Sequence, residues 1–209
     1  MEVTVYTDGA CSRNGQKGAK AGIGVFFEEN DCRNCSERIT GKQTNNTAEI
    51  KAILKAADIL KREMLAGYQV HIYSDSEYAM RCCSDYGAKL EKAGWIKKKP
   101  VPNMELVKQA YYTFKDYDNV NFHYIAAHTG KEDEHSKGNE GADRLANLAI
   151  GQTVCEYADK PRRLYINLPY ADKEKGKKLG TKWDPKKKKW YIMSNLEKNN
   201  KEIILNQWG

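Results

Sequence analysis

The chain reads as an α/β protein that carries a small α+β domain at its C-terminal end, and three observations predict this. Two near-identical tetrapeptides, Val5-Tyr6-Thr7-Asp8 and Ile72-Tyr73-Ser74-Asp75, each close a run of alternating apolar residues, the pattern of a half-buried strand. Between them Ile50, Ile53, Leu54, Ala57 and Leu60 recur at a 3.6-residue period, which predicts an amphipathic helix. Basicity then concentrates at one end: residues 162–209 hold 13 Lys+Arg against 5 Asp+Glu, net +8, which leaves 22 against 23, net −1, for residues 1–161.

Taken in order, Val3 and Val5 define a first strand predicted to end on Asp8. Ala21 to Glu29 and Ser36 to Gly41 form a hairpin whose tip is Cys32-Arg33-Asn34-Cys35; with no second such pair at zinc spacing, the tip reads as a turn rather than a metal knuckle. The helix of residues 46–60 is given Asn46 as N-cap and Glu49 as its capping-box partner. Val70 and Ile72 mark the strand that ends on Asp75. Gly138 to Ile150 reads as a helix with Asp143 in an acidic first turn, where the helix dipole favours negative charge. Residues 151–161 have few apolar side chains and read as a linker between a domain at 1–150 and one at 162–209. In the latter, Leu164 to Leu168 and Trp190 to Met193 read as strands and Ala171 to Leu179 as a helix stopped by Gly180.

Both strand-end aspartates share a face with the tyrosine two residues before them. If the strands are parallel neighbours, the carboxylates meet at the carboxyl edge of the sheet, where open α/β sheets bind ligands. Two like charges held that close favour a cation between them, and oxygen ligands suit magnesium or manganese. Each acid taken singly has an ordinary structural explanation, as a strand stop or a helix cap.

The ordered set Thr7-Asp8-Gly9, Thr47-Ala48-Glu49, Ser74-Asp75-Ser76, His128-Thr129-Gly130 and Gly138-Asn139-Glu140-Gly141-Ala142-Asp143-Arg144-Leu145-Ala146 resembles the catalytic domain of type 1 ribonuclease H over roughly residues 1–150. The loops 7–15 and 41–45 are most similar to the cellular eukaryotic form. The resemblance implies a mixed five-stranded sheet flanked by helices and an endonuclease that hydrolyses the RNA strand of RNA–DNA hybrids, leaving 5′-phosphate and 3′-hydroxyl ends. It implies two Mg2+ ions, replaceable by Mn2+. Asp8 is shared between them, Glu49 and Asp75 complete one site and Asp143 the other. His128 matches the family's mobile-loop histidine, which assists proton transfer or product release.

For substrate contacts the resemblance implies Cys11, Asn14, Asn45 and Asn46 on 2′-hydroxyls and minor-groove edges, and Lys42, Thr44 and Asn103 on a DNA phosphate. Tyr86 and Tyr78 stand where the eukaryotic enzymes place Trp and Phe against deoxyribose. Residues 89–100 look like that family's basic protrusion, in which Trp95 is expected to pack. Residues 131–137 make the segment before Asp143 longer than in most relatives and are expected to be a tolerated surface loop.

Residues 162–193 resemble a small domain of unassigned function appended to phage, plasmid and viral proteins of nucleic-acid metabolism, through Tyr165-Ile166-Asn167-Leu168-Pro169-Tyr170-Ala171, Leu179 to Pro185 and Lys189-Trp190-Tyr191. Most of its tryptophans and some of its tyrosines are expected to be buried in a core, since so small a domain needs them. Its lysines, Lys173, Lys175, Lys177, Lys178, Lys182 and Lys186, Lys187, Lys188 and Lys189, are expected to bind the phosphates of other nucleic-acid duplexes.

Nothing in the sequence reads as a bilayer span or a secretory signal, and the six cysteines show no secretory framework. A soluble, intracellular monomer is expected, cytoplasmic, nuclear or in a viral factory, with no membrane partner. Two other readings stay open: a transposase or integrase of the same fold class, whose helices lack the Thr-Ala-Glu and Asn-Glu-x-Ala-Asp patterns, and a non-catalytic hybrid-binding module.

Overall fold

The structure is a computed structural model that describes residues 1–97, 99–127, 133–152, 163–193 and 196–209. It divides into two compact units, Met1–Ala158 and Asp159–Gly209.

The first unit is built on β1 (Glu2–Ser12), β2 (Lys20–Phe26), β3 (Cys35–Arg38), β4 (Gln69–Ser74) and β5 (Val120–Tyr124), in the sheet order β3-β2-β1-β4-β5. β2 is antiparallel to β1 and β3, whereas β1, β4 and β5 run parallel. The alternation seen in the sequence sets the two faces. Val5, Val70 and Ile72 point into a core shared with α1 (Asn45–Ile59), α3 (Glu77–Cys83), α4 (Asp85–Lys92) and α5 (Met104–Phe114), and Ile50, Ile53, Leu90, Val107 and Phe114 fill it. A short α2 (Lys61–Leu65) leads into β4, and α6 (Glu134–Ala149) packs on β1 and β2. There Tyr6, Phe26 and Ala142 form a separate buried cluster.

Four expectations are corrected. β1 does not stop at Asp8 but continues to Ser12, because β2 pairs with it from Tyr6 to Ser12 while its pairing with β4 ends at Thr7↔Ser74. The N-cap of α1 is Thr44, not Asn46. Thr44 Oγ1 accepts from Thr47 N at 3.3 Å and Thr47 Oγ1 from Thr44 N at 3.1 Å, a reciprocal box that frees Glu49 from any capping duty. α6 begins at Glu134 with Asp133 as its cap, so Asp143 lies in mid-helix and the dipole account of it fails. By the same token residues 133–137 of the expected surface loop are the cap and first turn of α6; residues 131 and 132 lie outside the described residues. The hairpin forms with shorter strands than expected, β2 ending at Phe26 and β3 at Arg38, and Cys35 opens β3 rather than lying at the tip; Cys32 and Cys35 are free thiols, and Trp95 packs against the core and Tyr112, as expected.

The second unit is a sheet of β6 (Arg163–Ile166), β8 (Lys189–Met193) and β7 (Lys182–Asp184) in that order, all antiparallel, with α7 (Lys173–Lys178) and α8 (Lys198–Trp208). Ile166 and Ile192 pack against Leu168, Ile204 and Trp208, with Leu179 and Trp190 around them. The sequence reading missed β7 and α8, ran the first strand past Ile166, and merged the single 3-10 turn at Tyr170–Asp172 with α7. Of the expected linker, residues 153–161 lie outside the described residues.

Candidate active site

Asp8 reaches the site because β1 outruns its pairing with β4, so that its carboxylate and that of Asp75, one residue past β4, emerge side by side. Glu49 comes from the opposite layer. Gly9 permits this: a Cβ there would fall on the Glu49 backbone nitrogen and the Ala48 carbonyl carbon, so only glycine lets β1 and α1 touch at this point. Gly24 does the same for α6, since a Cβ on it would meet Ala142 O and Ala146 N, and this close seat brings Asp143 to the same cleft.

Carboxylate oxygens of Asp8, Glu49 and Asp75 all lie within 4.8 Å of one another. Asp8 and Glu49 are almost wholly buried, at 6% and 5% exposure. Burial pushes the Asp8 carboxyl well above its ordinary range, and the charges of Asp75 and Asp143 push it further. Glu49 is raised likewise, by burial first and then by Asp8 and Asp75. Asp8 thus interacts with Asp75 and Asp143, and Glu49 in turn with Asp8. Glu49 Oε1 accepts a bond from Asn45 Nδ2 at 3.3 Å, whereas its buried Oε2 has no hydrogen-bond partner among the described residues. An unpaired buried carboxylate oxygen is costly. The site therefore fits a divalent cation: it presents hard oxygen donors, converging charge and one acceptor left unsatisfied by protein.

A cleft of about 720 Å³ holds these four acids and also Cys11, Asn14, Asn45 and Asn46. Asn14 Oδ1 accepts from Asn45 N at 3.1 Å and so ties the β1–β2 turn to the start of α1. Lys42 Nζ donates to Asn103 Oδ1 at 3.0 Å, beside Thr44, whose hydroxyl is occupied as the helix cap. Asn103 itself adopts the left-handed conformation, φ 58°. Tyr78 and Tyr86 line a second cleft, with ring centroids 6.4 Å apart. His128 lies outside the described residues.

The sequence reading missed Asn147 and His135. Asn147 Nδ2 donates to Asp143 Oδ1 at 2.8 Å from one turn further along α6, and the i,i+4 spacing was the available signal. His135, in the first turn of α6, is stacked on Tyr73 at 4.3 Å; its Nδ1 lies 3.0 Å from the Tyr6 hydroxyl and its Nε2 3.4 Å from the Tyr73 hydroxyl. It thereby fastens α6 to the same two strands, two residues upstream of Asp8 and Asp75.

Residues 1–150 match the family described as RNase H. The chain belongs to the ribonuclease H family. It is similar to ribonuclease H of Schizosaccharomyces pombe, 37% identical over 151 residues that cover 71% of this chain and 53% of that protein, so this chain spans about half the length of that relative. It is also similar to ribonuclease H of Ruthia magnifica, 32% identical over 151 residues covering 71% of this chain and 95% of that one. The solution structure of the PFV RNase H domain shares the ribonuclease H fold, with a TM-score of 0.58 at 23% identity over 71% of this chain and 93% of that domain. Residues 163–202 match a domain of unknown function (DUF5710).

Among the described residues, no helix is long and apolar enough to cross a membrane.

Proposed function

We propose that the protein is an endonuclease that hydrolyses the RNA strand of RNA–DNA hybrids, leaving 5′-phosphate and 3′-hydroxyl ends. The observation that carries this reading is the convergence of Asp8, Glu49, Asp75 and Asp143 on one cleft, with Glu49 Oε2 left without a hydrogen-bond partner among the described residues, in a chain of the ribonuclease H family. Two Mg2+ ions, for which Mn2+ can substitute, would lower the pKa of the attacking water and stabilise the leaving oxygen. Asp8 would be the shared ligand, Glu49 and Asp75 would complete one side and Asp143, oriented by Asn147, the other. No side chain of the cleft is required as a nucleophile.

Cys11, Asn14, Asn45 and Asn46 would read the 2′-hydroxyls that separate RNA from DNA. Lys42 and Asn103 would receive a DNA phosphate, and Tyr78 and Tyr86 would present flat apolar faces to a deoxyribose. His128 is assigned proton transfer or product release. The unit of residues 162–209 would tether the enzyme to nucleic-acid duplexes through Lys182 and Lys186 to Lys189, which are exposed.

Substrates of graded RNA length test the assignment. Because the 2′-hydroxyl contacts are spread over several residues, a run of about four ribonucleotides in duplex DNA should be cut efficiently and a single one poorly. Efficient incision at an isolated ribonucleotide would overturn the mapping.

A further inference from the structure

The C-terminal unit separates its charges by face. β-register places Arg163, Tyr165, Lys182, Asp184, Lys189 and Tyr191 on one side of its sheet, and Leu164, Ile166, Trp183, Trp190 and Ile192 on the other. The second side is covered by the helices, through Ile204 and Trp208 of α8 and Leu179 at the end of α7. Of the five acids in residues 162–209, Asp172, Glu174, Glu197 and Glu202 belong to the helices or their caps. The outer face keeps one, Asp184.

That acid is consumed within the fold. Asp184, 4% exposed, accepts from Arg163 Nη1 at 2.8 Å, Tyr165 Oη at 2.7 Å, and the backbone N–H groups of Lys186 and Lys187 at 2.9 and 3.2 Å. These bonds, the Tyr165 hydroxyl first, hold its carboxyl down at about 2. They also fix the turn after β7, which closes with Lys188 at φ 51°. The lysine run 186–189 is therefore set on a hairpin clipped at its base, not on a loose loop. On the outer face the aromatic rings are already capped: Lys187 Nζ sits 4.6 Å from the Tyr165 ring centre and the Arg163 guanidinium 4.8 Å from that of Tyr191. The exposed Trp183 stacks edge-on against Trp190 on the opposite side. The lysines of α7 are engaged differently, Lys173 with the Tyr170 hydroxyl, Lys175 with Gln207 and Lys177 with Glu174.

We propose that this outer face, Arg163, Lys182 and Lys186 to Lys189 arranged around Asp184, is a phosphate-backbone clamp for duplex nucleic acid that reads charge and is blind to sugar and sequence. The proposal rests on the tethering role given above to the C-terminal unit and specifies how it is exercised. Exposed cations grip phosphates, and the Tyr165 and Tyr191 rings, already covered by Lys187 and Arg163, offer no platform for stacking bases.

The test is equilibrium binding of the full chain in EDTA, where no cleavage intervenes, to an RNA–DNA hybrid, a DNA duplex and an RNA duplex of one length across a salt series. Replacing Lys186, Lys187, Lys188 and Lys189 by Gln should lower the slope of log affinity against log salt by about 3.6, at roughly 0.9 per phosphate contact, and equally for all three duplexes. A matched variant on the helical side, Lys173, Lys175, Lys177 and Lys178 to Gln, should change it far less. A loss confined to the hybrid would overturn sugar-blind reading. Loss in the helical-side variant alone would overturn the clamp and leave the tether standing, and no loss in either would overturn both.

Discussion

Glu49→Gln should stabilise the metal-free protein while abolishing turnover. Carboxylate oxygens within 4.8 Å repel by about 3 kcal/mol per ionised pair at an effective dielectric of about 20. Glu49 faces Asp8 and Asp75, and its Oε2 has no hydrogen-bond partner among the described residues. A neutral amide removes that repulsion and offers donors to its neighbours, for a net gain of about 2 kcal/mol after partial protonation of the cluster is allowed for. For a unit of this size that raises Tm by roughly 4–8 °C.

The pH dependence follows from the direction of the shifts. A carboxyl raised in the folded state binds more protons there than in the unfolded chain, so stability falls as pH climbs above the ordinary glutamate value of 4.5. The advantage of the variant should be present at pH 7, shrink as pH falls, and vanish below about 4, where both states are protonated. Thermal melts in EDTA from pH 4 to 8 measure it. Added Mg2+ should close the gap by stabilising the parent more than the variant. Equal Tm values for the two proteins at pH 7 in EDTA would refute the reasoning.

Asp75→Asn should bind hybrid nearly as the parent does and lose at least about 99% of kcat, since metal-based stabilisation contributes several kcal/mol; binding isotherms and single-turnover rates check both halves. Gly9→Ala should force the start of α1 away from β1, because its Cβ falls on the Glu49 backbone nitrogen. A displacement of about 1 Å costs on the order of a hundredfold in kcat, with KM for the hybrid little changed. His135→Ala removes the contacts to Tyr6 and Tyr73 and should lower stability by about 1–2 kcal/mol, read by urea denaturation.

Much of the catalytic unit was legible because its signals are local. Val3, Val5, Val70 and Ile72 announce the buried sheet face by alternation, and Ile50, Ile53 and Ala57 announce the face of α1 that they bury. What escaped depends on distant partners or on competing local choices. Thr44-x-x-Thr47 and Asn46-x-x-Glu49 are both plausible boxes, and the first wins because Glu49 is drawn into the cleft. The start of α6 was hidden by Gly138 and Gly141, poor helix formers. A Cβ on either would meet the ring of Tyr6 or Phe26. The bond between Tyr6 and His135 spans 129 positions, and no local pattern encodes it. In the C-terminal unit β7 is three residues with only Asp184 buried. Among the described side chains, α8 buries Ile204 and Trp208, one turn apart, as its inward signature.

The central claim is that four converging carboxylates make this chain a metal-dependent hybrid nuclease. Its most direct test is incubation of the pure full-length protein, and of Asp8→Asn beside it, with end-labelled RNA–DNA hybrid, duplex RNA and duplex DNA, each with and without Mg2+. The account predicts cleavage of the RNA strand of the hybrid alone, only with the metal and only by the parent protein. Cleavage in EDTA, equal cutting of duplex DNA, or full activity of Asp8→Asn would contradict it.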